Sequence, residues 1–69
     1  MYETSDLAIA AFLMMHDFKL IDAGKTSTGK FKFVFEDKEG TAKSKAVEFI
    51  SSDFSKFDTH IKNLKKLLY

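Results

Sequence analysis

The sequence predicts a small α+β domain, ordered helix, strand, strand, helix, helix, with the helices packed on one face of an antiparallel β-hairpin. Three observations predict it. Residues 30–37, KFKFVFED, place Phe31, Phe33 and Phe35 at every second position, the period of a strand with one face turned inward. The run LAIAAFLMM near the start, and the series Phe54, Phe57, Ile61, Leu64, Leu68 near the end, carry apolar residues at helical spacing. Only Ser27-Thr28-Gly29 separates the aromatic strand from the segment before it, which suits a hairpin.

The first helix is expected from about Ser5 to Asp17. Thr4 or Ser5 can cap it, and Asp6 falls in the first turn, where the helix dipole favours an anion. Ala8, Ala10, Ala11 and the leucines and methionines around them have high helix propensity. Leu7, Ala11, Met14 and Phe18 form one apolar stripe; Ile9, Phe12 and Leu13 form a second. A surface helix normally has one such face. Two faces mean that this helix lies between layers or meets another chain, and Ile9, Phe12 and Leu13 are the candidate partner surface.

Phe18 to Thr26 reads as a strand of moderate quality, Lys30 to Asp37 as the clearest strand, and Asp37-Lys38-Glu39-Gly40 as a turn. Thr41 to Ser51 fits a helix through Ala42, Ala46, Phe49 and Ile50, and fits a third strand less well through Lys45, Val47 and Phe49. Ser51-Ser52-Asp53 supplies a cap for a last helix from about Phe54 to Leu68, whose final turns carry Lys62, Lys65 and Lys66 where the dipole favours cations. No proline, repeat or linker interrupts the order, so residues 1–69 form a single α+β domain.

A chain of 69 residues has barely enough interior for one core, and without cysteine no disulfide or thiolate metal site reinforces it. Each buried phenylalanine contributes roughly 1.5–3 kcal/mol, so most of the eight must be inside. Phe31, Phe33 and Phe35 are therefore expected to be the surface that the terminal helices cover, in preference to a platform on which bases stack. A core of that kind leaves little room for a reaction pocket.

Net charge is +1, too small to draw nucleic acid or an anionic membrane by itself. All eleven basic residues are lysine, and the lack of arginine removes the bidentate fork used to read guanine. The longest apolar run has nine residues against the roughly 20 that span a bilayer. Acids rather than a basic cluster precede it, which makes it a poor secretory signal. No membrane association is expected.

Gly24-Lys25-Thr26 matches the tail of a phosphate-binding loop, but Lys19 stands where its first glycine belongs and the segment leads into a strand. His16 and His60 are too few and too scattered for a metal site. The serines near His60 are accounted for by helix capping, and Glu36, Asp37 and Glu39 sit at an exposed turn. No catalytic, cofactor-binding or metal-binding residue is assigned, and an enzyme is the least favoured class. Lys30, Lys32, Lys62, Lys65 and Lys66 are candidate contacts to phosphates or to an acidic partner, with a solvated lysine face as the plainer reading.

The opening Tyr2-x-Thr4-Ser5-Asp6-Leu7-Ala8-x-Ala10-Ala11-Phe12-Leu13, the strand Phe33-Val34-Phe35-Glu36-Asp37 and the ending from Phe57 to Tyr69 with Leu64-Lys65-x-Leu67 resemble a family of small bacterial and phage proteins catalogued only as a domain of unknown function. The chain departs from that pattern at His16-Asp17, where a residue followed by glycine is more usual, and in a shortened segment around Ser51 to Phe54. The resemblance implies a phage or mobile-element setting, hence the cytoplasm of a host cell, and carries no activity or functional residues.

The expected function is that of a non-catalytic binding module acting by protein–protein contact, with itself as the simplest partner in a homo-oligomer. A nucleic-acid accessory protein, holding single strands weakly through Lys30, Lys32 and the C-terminal lysines, is the alternative. Inhibition of a host defence complex is a third reading.

Overall fold

The computed structural model describes residues 1–68; Tyr69, the last residue of the family-like ending, lies outside the described residues. The elements are β1 (Tyr2–Thr4), α1 (Leu7–Met15), β2 (Leu20–Lys25), β3 (Phe31–Phe35), α2 (Ala42–Ile50) and α3 (Asp53–Leu68). The expected α-β-β-α-α order is present, with one strand added in front of it.

That strand, β1, completes a three-stranded antiparallel sheet of order β1-β3-β2. Tyr2 lies opposite Phe35, Glu3 opposite Val34 and Thr4 opposite Phe33. Three residues are too few to display a period, although Tyr and Thr both favour strands. The added strand makes β3 central. It also accounts for the half-buried state of Val34 on the outer face.

Between β2 and β3, Gly29 adopts φ 82° and its amide donates to the Thr26 carbonyl at 2.9 Å. Left-handed backbone at this point closes the short loop and suits glycine. A bulge between Leu20 and Asp22 then shifts the register of β2. Leu20 faces Phe35 and Ala23 faces Phe33.

Helix α1 begins at Asp6, whose Oδ1 accepts from the amides of Ala8 at 2.9 Å and Ile9 at 3.1 Å. Asp6 is thus the cap, not a first-turn residue; Thr4 is held in β1, and its Oγ1 accepts from the Asp6 amide at 3.1 Å. The helix ends at a Schellman turn. Phe18 N–H donates to Leu13 C=O and Asp17 N–H to Met14 C=O, both at 3.1 Å, with Asp17 at φ 66°.

The core lies between α1 and the sheet. Leu13 and Phe35 have no exposed surface, Ala10 joins them, and Tyr2, Ile9, Phe18, Leu20 and Phe33 pack around the cluster. On its other flank α1 sets Phe12 edge-on to Phe49 of α2, with ring centroids 5.4 Å apart, and 5.8 Å from Phe54 of α3. Ala42, Ala46 and Phe49 are buried, whereas Ile50, expected to join them, is exposed.

Two sequence expectations about the interior need correction. The aromatic row of β3 is graded: Phe35 is buried, Phe33 half-buried and Phe31 43% exposed. Helix α1 stands over the Phe35 end, and the hairpin projects past it. The Phe31 ring instead meets Phe33 at 5.9 Å and the Lys25 ammonium at the same distance. Helix α3 packs against α2 and α1, and none of its residues is fully buried.

Candidate functional site

Two concave regions mark the surface. One, of about 370 Å³, runs between the end of α1 and the β3–α2 turn, with His16, Asp17, Lys19, Glu36, Asp37 and Lys45 on its walls. It is larger than the chain length suggested. Its polar groups have structural roles: His16 caps α1 and stacks edge-on against Phe12 at 4.6 Å, and Asp37 Oδ1 accepts from the Ala42 amide at 3.1 Å to start α2. Among the described residues no polar or charged side chain is buried, and no three His, Asp or Glu side chains converge as metal ligands.

The second is an apolar groove of about 210 Å³ between α1 and α3. Ala8, Ala11 and Met15 form one wall, Phe57 and Ile61 the other, and Phe49 lies at the α2 end. Apolar surface continues beyond both walls. On α1, Leu7, Met14 and Met15 are more than half exposed; on α3, Phe57, Leu64, Leu67 and Leu68 are exposed as well. Scattered apolar residues on a surface need no explanation, but a contiguous face of this kind does.

Of Ile9, Phe12 and Leu13, the candidate partner surface, only Phe12 reaches that face, as a buried ring lining the groove. Phe12 and Leu13 are buried and Ile9 is half-buried, because this stripe is the one spent on the sheet and on Phe49. Its counterpart, with Leu7, Ala11 and Met14, is left in solvent. The α1 pattern revealed a surplus face but not which of two stripes it was. For α3, the alternating spacing of three and four is also that of a helix–helix seam, the signal that could have pointed outward.

The five candidate lysines are exposed and stand on or beside two different elements, β3 and α3. Lys32 lies 4.0 Å from Glu3. Lys62 donates to Asp58 Oδ2 at 2.9 Å, and this hydrogen bond and the carboxylate's charge hold its ammonium above the ordinary lysine range. Both pairings set a carboxylate where a phosphate would have to approach.

No helix among the described residues is long and apolar enough to cross a membrane. No curated protein and no solved structure matches the chain. A family model described as a domain of unknown function (DUF5659) matches residues 1–69. The chain belongs to that family, with a strand-supported α1 and an open α1–α3 face as its architecture in this protein.

Proposed function

We propose that the protein is a non-catalytic binding module that acts by protein–protein contact through the exposed apolar face of α1 and α3. One observation carries this reading: a contiguous set of large apolar side chains, from Leu7 and Met15 to Phe57, Leu64 and Leu68, lies in solvent beside an apolar groove. Burying such residues is worth roughly 1.5–3 kcal/mol each, and the fold does not collect that energy internally. The non-catalytic part rests on the lack of buried ionisable groups among the described residues, since catalytic acids and bases draw their altered proton affinity from burial and close charges. A phage or mobile-element setting is part of the proposal, supported by the resemblance of the opening motif.

A photo-crosslinking amino acid at Met15 or Leu64, compared with the same probe at Lys25 or Lys38 on the hairpin and its exit turn, tests the reading. Adducts to protein that form from the helix face and not from the hairpin are the expected result. Equal yields from all four positions, or none, would contradict it. Retention on single-stranded nucleic acid at low salt, lost on Lys65→Glu with Lys66→Glu, would favour the accessory-protein alternative instead.

A further inference from the structure

We infer that the occupant of this face is a second copy of the chain, docked with the two α3 helices antiparallel. The inference rests on the reading of the face as a protein contact and adds the partner and its orientation. Surface area is the first argument. A folded monomer of 7.9 kDa is expected to expose about 4,400 Å², whereas this chain exposes 5405 Å². The excess, about 1,000 Å², is shared between the projecting hairpin and this face, and is of the order of the roughly 800 Å² that each partner contributes to a standard interface.

Charge order on α3 supplies the second. Phe54, Phe57, Ile61, Leu64 and Leu68 fall at alternating first and fourth places of a seven-residue repeat, the core places of paired helices. Asp58 and Lys65 follow the fourth-place residues Phe57 and Leu64; Asp53 and His60 precede the first-place residues Phe54 and Ile61. Parallel pairing would set Asp53 against the second copy's Asp58 and His60 against its Lys65, with no attraction between opposite charges. Antiparallel pairing brings the second copy's Lys65 to Asp58, whose Oδ2 also accepts from Lys62 of its own helix at 2.9 Å, twice by symmetry. It also opposes the two helix dipoles and lays each lysine-bearing end beside the acidic start of the other.

The groove completes the fit. Ala8 and Ala11 are small enough to let a neighbouring helix approach α1 closely, while Met15 can adapt its shape to it. Helix α3, of 16 residues and about 24 Å, is long enough to lie along the whole face. The result is a layer of four helices, α1 and α3 from each copy, related by a two-fold axis.

Sedimentation equilibrium on the full chain, the variants Asp58→Lys and Lys65→Asp, and the double variant tests the pairing, with circular dichroism reporting that each is folded. The unmodified chain should be a dimer at micromolar concentration. Lys65→Asp, which leaves the Asp58–Lys62 pair in place, should weaken dimerisation by about tenfold, because it sets like charges at two symmetric contacts. Asp58→Lys should do so too while also giving up that pair within α3, and the double exchange should be tighter than either single. Dimers indifferent to all three changes, or a double variant no tighter than the singles, would overturn the antiparallel arrangement. A monomer at several hundred micromolar would overturn the second copy as occupant. Crosslinks from Met15 and Leu64 to some other protein would then leave the contact face itself standing.

Discussion

Asp17 holds φ at 66° in the Schellman turn that ends α1, a left-handed conformation that glycine adopts without strain. A side chain in left-handed backbone costs about 1–2 kcal/mol, less for aspartate than for most residues. Asp17→Gly should therefore raise unfolding free energy by about 0.5–1 kcal/mol, and Asp17→Val should lower it. Urea denaturation at submicromolar concentration, where association makes no contribution, measures both. The same experiment separates the hairpin's aromatic rings. Phe35→Ala removes a fully buried ring from between α1 and the sheet, and should cost about 3–5 kcal/mol. Phe31→Ala removes one that solvent already reaches, and should cost under about 1 kcal/mol. At this scale the sequence disclosed that the alternate phenylalanines share a face. It could not disclose their grading, which depends on where a nine-residue helix comes to rest along the hairpin.

Helices and strands differ in how far their own residues announced them. The β2–β3 hairpin and α3 were legible because each carries a period and a turn or cap signal within a few residues. The segment of α2 fitted a helix better than a third strand without excluding the strand, and it is a helix. Strand β1 was not, since three residues have no period and its role comes from pairing with β3, some thirty positions on. The destination of α3 was equally hidden. An apolar stripe records that a helix will be covered, and says nothing about whether the cover belongs to the same chain. Ser52 starts α3, with its Oγ donating to the Phe49 carbonyl at 2.6 Å and accepting from the Ser55 amide at 3.4 Å. Phe49→Ala should destabilise the monomer by about 3–5 kcal/mol, because Phe49 is where α2 meets Phe12 of α1. Leu64→Ala, on the open part of α3, should change monomer stability by less than about 1 kcal/mol and act on association instead.

Over the whole molecule the shape agrees with these local facts. The Cα extents are 41 × 31 × 14 Å and the radius of gyration is 13.0 Å, against about 11 Å for a compact domain of this length. One layer of sheet and one of helices leave the chain flat, and the layer of helices is finished on only one side. The interior is held by Leu13, Phe35 and Phe49 of α1, the sheet and α2, whereas α3 buries none of its residues fully and leaves Phe57, Leu64, Leu67 and Leu68 in solvent. Amide hydrogen exchange followed against protein concentration measures that division most directly. Amides of α3 should exchange fastest of the three helices in dilute solution and gain protection as concentration rises, while β3 and the core turns of α1 stay constant. Amides of α3 as protected as those of β3 at the lowest concentration would contradict it.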